Sequence, residues 1–233
     1  MTATVQSDPW CPNANIDRWL LVSTYCDRWC ERCRHRTRCL MAGMEPEQLF
    51  SLDEEPEPSE EELDAEGARI AEAIREALEA EGFPVAEVEA EPLPAMDDDP
   101  LMASAQDWWE ISQAWMASLP QGRVEGETRE LVEVLTWYSS LVPNKLYRAL
   151  IAEQFEERYG PPQDPHPRDA LGSAKVAALG LYACIGTLSG WCKDHRLDGN
   201  AMAILMTTCG LLEMLQRRFP DHMEFMRPGF DEG

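Results

Sequence analysis

"DPLMASAQDWWEISQAWMASL", residues 99 to 119, decides the fold. Asp99 can cap the free backbone N–H groups of a helix, and Pro100 stands at the first helical position, where its missing N–H costs nothing. Trp108 and Trp109 are adjacent, so one helix cannot turn both toward the same neighbour. From here to the C-terminal end the pattern stays helical. A second helix is expected over Glu127–Tyr159, with Pro143 as an internal kink or break. After the turn "GPPQDPHPRD" a third is expected over Asp169–Lys193, and a fourth over Gly199–Phe219, closed by Pro220. The tail "DHMEFMRPGF" is expected to fold back on these helices. No stretch alternates as a strand would, and the short connections predict an antiparallel helix bundle over residues 100–233.

Upstream of Asp99 the composition changes. Residues 45–99 hold 21 acidic and 2 basic residues, so this one stretch carries most of the chain's net charge of −23 and the rest is close to neutral. Prolines at 46, 56, 58, 84, 92 and 94 interrupt it. Such a segment reads as an acidic linker with one amphipathic helix at about 59–81. Ser59 and Glu62 form its capping box, Leu63, Ile70, Ile74 and Leu78 its apolar stripe, and Gly82 its stop. Because the acidity is local, the overall charge does not exclude an anionic partner for the remainder.

Residues 1–44 form a small head rich in Cys and Trp. A helical signal starts at Asp17, with Trp19, Leu20, Tyr25 and Trp29 as apolar anchors. Within it "YCDRWCERCRHRTRC" places Cys26, Cys30, Cys33 and Cys39 at the spacing C-x3-C-x2-C-x5-C. On a helix the first three would lie at about 0°, 40° and −20°, on one face. A stripe of small apolar thiols could serve packing, but a fourth Cys amid "RHRTR" does not fit a core. The pattern predicts a metal site made of these four cysteines, stapling a helical head too small to fold alone. Helical spacing would separate Cys26 from Cys33 by about 10 Å. That suits a [4Fe–4S] cluster better than zinc, and zinc remains the alternative.

Two resemblances bear on this segment. C-x3-C-x2-C looks like the cluster motif of radical S-adenosylmethionine enzymes, which implies a partial β/α barrel; the chain has no barrel pattern, and Cys39 could close the open iron. Cys30, Cys33 and Cys39 match C-x2-C-x5-C, which is similar to the cluster segment of RecB-type nucleases and some DNA glycosylases. That likeness implies a ligand role alone, because the nuclease core needs an E-x-K and none occurs around Lys145, Lys175 or Lys193. As a whole the chain resembles uncharacterised bacterial proteins that join a Cys-rich N-terminal head to a helical C-terminal part, which implies no activity.

Arg28, Arg32, Arg34, Arg36 and Arg38 surround the cysteines. They would offset the negative charge of bound thiolates, or form a patch for a phosphate backbone with Trp29 or His35 stacking on bases. Cys11 stands outside the spacing, as a spare ligand or free thiol. Cys184, Cys192 and Cys209 lie in apolar runs and read as core thiols. No Glu-x-x-His, Gly-rich phosphate loop, G-x-S-x-G or H-E-x-x-H occurs, so no catalytic constellation is recognised. The start shows no secretory pattern and no uninterrupted apolar run of membrane-spanning length, so a cytoplasmic protein without a membrane partner is expected. The expected function is a binding or regulatory one toward a protein partner, with the metal mainly structural. The alternative is an iron-sulfur redox or electron-transfer protein serving a partner enzyme.

Overall fold

The computed structural model describes residues 24–36, 39, 59–80, 96–119, 127–160, 169–194, 199–227 and 229–231. The described residues form five α-helices and no strand: α1 (Glu60–Ala80), α2 (Pro100–Ser118), α3 (Glu127–Tyr159), α4 (Asp169–Asp194) and α5 (Gly199–Arg218). Short 3₁₀ turns occupy Met96–Asp98 and His222–Glu224. The chain divides into two compact units, Met44–Pro92 and Met1–Gly43 together with Leu93–Gly233. In the first unit α1 carries ion pairs along its surface, with Arg75 between Glu72 and Glu79, and leaves Ile70 exposed. The Pro-rich flanks of α1 lie outside the described residues, as do residues 17–23 of the expected head helix.

In the second unit α2 starts as its sequence dictates. The Asp99 carboxylate accepts from the N–H groups of Leu101 at 2.8 Å and Met102 at 3.4 Å, and Pro100 opens the helix. Cross-helix bonds fix the relative directions. Gln113 donates to Ser139 and Thr136 to the Met116 sulfur, so α2 and α3 run antiparallel. Arg148 reaches Asp169 near one end of the α3–α4 pair, while Tyr138 meets Gly180 further along. Trp108 with Thr208, and Ser104 with Met214, do the same for α2 and α5. Each helix packs on its chain neighbours, and α2 on α5 closes the ring.

The core is made of Leu131, Leu135, Leu146, Leu150, Leu181, Leu188, Leu211 and Leu215, all essentially inaccessible, with Trp108 at 0% exposure in its middle. The Trp108 indole donates to Thr208 Oγ1 at 2.8 Å, which satisfies the one polar atom that its burial would otherwise strand. Trp109 is only half-buried, as adjacency on a helix requires. Of the kink or break expected at Pro143, the break is absent: α3 runs on through it. Val142 and Leu146 bury the helix on both sides of the proline, and the Asn144 side chain donates to the Ser140 carbonyl at 2.8 Å. By length and composition alone α4 could cross a membrane, with a mean hydropathy of 1.4 over an 18-residue window within Asp169–Lys193, and 61% of that window is buried.

The tail does fold back. Lys175, a buried cation in the apolar run of α4, donates to the carbonyls of Phe225 at 2.7 Å and Met223 at 3.2 Å, and pairs with Asp231 at 2.7 Å. Arg227 holds the same carboxylate. Burial pushes the Asp231 carboxyl up, but the Arg227 and Lys175 hydrogen bonds outweigh it and leave the group well below the usual carboxylate range.

Candidate metal centre

The expected helix does not run through the cysteines. Thr24 is helical, and from Tyr25 to Arg36 the described chain is a succession of turns. Local and tertiary bonds outcompete the i,i+4 pattern of Tyr25 and Trp29 here. Asp27 accepts the Trp29 N–H at 3.1 Å on its own side chain, an Asx turn, and Arg28 takes a left-handed φ of 55°. The Cys30 N–H then closes on the Arg28 carbonyl at 2.9 Å. Three-residue turns follow, from Arg32 to Trp29, from Cys33 to Cys30 and from Arg36 to Cys33, before the Cys39 N–H returns to His35. The head is therefore not helical over this stretch, and the helical separation of Cys26 from Cys33 falls with it.

This turn segment is stitched to the bundle within the same unit. Tyr25 is 3% exposed and packs on Phe225, with ring centroids 5.0 Å apart, over the bare backbone of Gly172. Burial and the Asp169 carboxylate push its hydroxyl above the usual phenol range. On α3, Tyr138 donates to Asp27 Oδ2 at 2.9 Å and the Trp137 indole to the Asp27 carbonyl at 2.8 Å. Trp29 stacks on Trp137 with centroids 5.4 Å apart. The Lys145 ammonium donates to the Thr24 carbonyl at 2.7 Å.

Two of the four thiols receive backbone N–H groups from two residues downstream. The His35 N–H points to Cys33 Sγ at 3.4 Å, and the Arg28 N–H bonds to Cys26 Sγ. Burial pushes the Cys26 thiol up, while that N–H and the nearby Lys145 ammonium pull it down, with a net rise. Burial likewise raises Cys30, and Cys39, Glu31 and Cys33 add to the rise, so Cys33 and Cys39 each lie within electrostatic reach of Cys30. Sulfur ligands with amide donors fit a zinc ion or an iron-sulfur cluster in chemistry. Among the described residues, no three or more His, Cys, Asp or Glu side chains converge into a metal-holding group. The four thiols are thus not drawn together: Cys33 and Cys39 act on Cys30 by their charge, and Lys145 acts on Cys26.

The described arginines of this segment differ in their partners. Arg32 lies over the Trp29 ring at 4.0 Å and pairs with Glu133 of α3 at 3.1 Å. Arg34 donates to His35 Nε2 at 3.0 Å and to the Phe230 carbonyl of the tail. Arg28 and Arg36 are exposed, and Arg38 lies outside the described residues, as do Cys11, His166 and His195. Cys184 is a core thiol, pushed up to about 12 by burial, and Cys192 is half-buried. Cys209 differs from its expected core position and is exposed, because α5 turns that face outward. Sequence reasoning missed the anchoring roles of Asp27, Lys145 and Lys175. A lysine inside an apolar helical run is the signal that could have found the last two, since a buried cation needs partners. Comparison with protein-family models, with curated proteins and with solved structures finds no match to this chain.

Proposed function

We propose that this chain is a metal-binding helical protein in which Cys26, Cys30, Cys33 and Cys39 hold zinc or a [4Fe–4S] cluster, and that the metal is structural. It fixes the turn segment on α3 for a binding or regulatory task toward a protein partner. The observation that carries this reading is the His35 N–H aimed at Cys33 Sγ at 3.4 Å, repeated by Arg28 at Cys26. Amide donors at sulfur favour the thiolate, the form that ligates metal, and orient it. Turns replace the helix whose length weighed against zinc, so both metals stay in the proposal. A metal supplies the cross-link, and Arg32, Arg34 and Arg36 offset the charge of the thiolates. Asp27, Trp29 and Lys145 tie the segment to the bundle, a scaffold's arrangement. Reduced thiols of this kind belong in a reducing compartment, the cytoplasm.

The test is zinc, iron and sulfide content of anaerobically purified full-length protein, beside Cys30→Ser. About one zinc, or about four irons with as many sulfides, is expected per chain, and the variant should lose most of it. Absence of both metals overturns the proposal. A cluster that cycles reversibly between oxidation states while the fold stays intact would replace the structural role by the redox one.

A further inference from the structure

The described residues enclose a cleft of about 460 Å³ between the turn segment, α3, α4 and the tail. Its lining is chemically two-sided. Arg32, Arg34 and Arg227 bring three guanidinium groups to it, while Trp29, Tyr138 and Phe230 bring three aromatic rings. Val176 and Leu179 of α4 add aliphatic surface. The one carboxylate in the lining, Asp27, is engaged by the Tyr138 hydroxyl and the Trp29 N–H. Arg32 and Arg227 are paired with carboxylates just outside the lining, Glu133 and Asp231, while Arg34 is held by the Phe230 carbonyl and His35.

We propose that this cleft binds a small ligand that joins a planar ring to a phosphate, a nucleotide in size and chemistry. The volume falls in the range of pockets that enclose ligands of that size, roughly 300–1,000 Å³. Each guanidinium is held in place by a partner and keeps N–H donors over. Arg34 is planted by the Phe230 carbonyl and His35, Arg227 by Asp231, and Arg32 by Glu133 and the Trp29 face. Pre-positioned forks of this kind suit phosphate oxygens, and of the rings Tyr138 and Phe230 suit a base, since Trp29 already carries Trp137 and Arg32. Offsetting the charge of metal-bound thiolates does not account for the set, because Arg227 comes from the tail and pairs there with Asp231. Cys33 lines the cleft as well, so the inference shares that residue with the metal proposal, and the variants below leave all four cysteines in place.

The experiment is titration calorimetry on full-length protein as purified, with ADP, GDP and UDP, and with adenosine, guanosine, uridine and inorganic pyrophosphate as the two halves of the ligand. At least one nucleotide should bind, with its nucleoside and pyrophosphate each weaker by roughly tenfold or more, as loss of charge-assisted or stacking contacts requires. Arg34→Gln, which removes a fork, and Leu179→Trp, which fills the cleft, should each weaken that nucleotide by roughly tenfold or more with circular dichroism unchanged. No heat from any nucleotide at millimolar concentration overturns the inference. So does a nucleoside or pyrophosphate that binds as tightly as the nucleotide, or undiminished binding in the variants.

Discussion

Replacing Asp27 by alanine removes the carboxylate that joins the turn segment to α3. Two donors lose their acceptor, the Trp29 N–H at 3.1 Å and the Tyr138 hydroxyl at 2.9 Å. A hydrogen bond to a charged group contributes about 1.5–3 kcal/mol net, and a half-buried, partly screened site takes the lower end. The two together give about 3 kcal/mol for Asp27→Ala, and Tyr138→Phe alone about 1.5 kcal/mol. The pair should therefore couple by about 1 kcal/mol in a double-mutant cycle. Hydrogen exchange over residues 25–36 reads the local opening, and urea unfolding reads the global part. Both single variants should speed exchange in that peptide, and the double variant should lose less than the sum. Additivity within about 0.3 kcal/mol would refute the link, because independent sites behave that way.

Three further outcomes follow from the same contacts. Gly172→Ala would set a Cβ into the Tyr25 ring and 2.9 Å from Phe225, so thermal unfolding should fall despite alanine's better helix propensity, by about 1–3 kcal/mol as overpacking does. Asp231→Asn should loosen the tail most at neutral pH. The native carboxyl lies below its unfolded value near about 4, so its contribution is complete above that value and shrinks as pH falls below it; hydrogen exchange of residues 222–231 should show native and variant converging in acid. Chelation of zinc, or oxidative loss of a cluster, should raise exchange over residues 25–36 while the α2–α5 core stays protected, as measured by the same method.

The helices were legible because their punctuation is local. Asp99-Pro100 starts α2, Asp169 and Gly199 open α4 and α5, and the connections on either side of α3 are rich in Gly and Pro. The turn segment was not, because its deciding interactions are distant in sequence. Tyr25 and Trp29 stand four apart as helix neighbours do, yet one packs on Phe225 and the other on Trp137. No local rule announces that Asp27 will meet Tyr138, or that Arg28 will turn left-handed to allow it. The thiol spacing was readable, but its neighbourhood was not, since Lys145 reaches Cys26 from the middle of α3. The cleft was invisible for the same reason: its arginines come from both ends of the unit.

The chain has three lysines, and the structure hides two of them: Lys145 and Lys175 are each 7% exposed, while Lys193 stands open at the end of α4. One buried amine holds the start of the turn segment and the other holds the C-terminal tail. Acylating reagents therefore find a single ready lysine in the folded molecule. Each hidden amine then becomes a separate gauge of release. Acetylation appearing at Lys145 marks detachment of the cysteine segment, and at Lys175 detachment of the tail, so peptide mapping can follow the two latches independently in one sample.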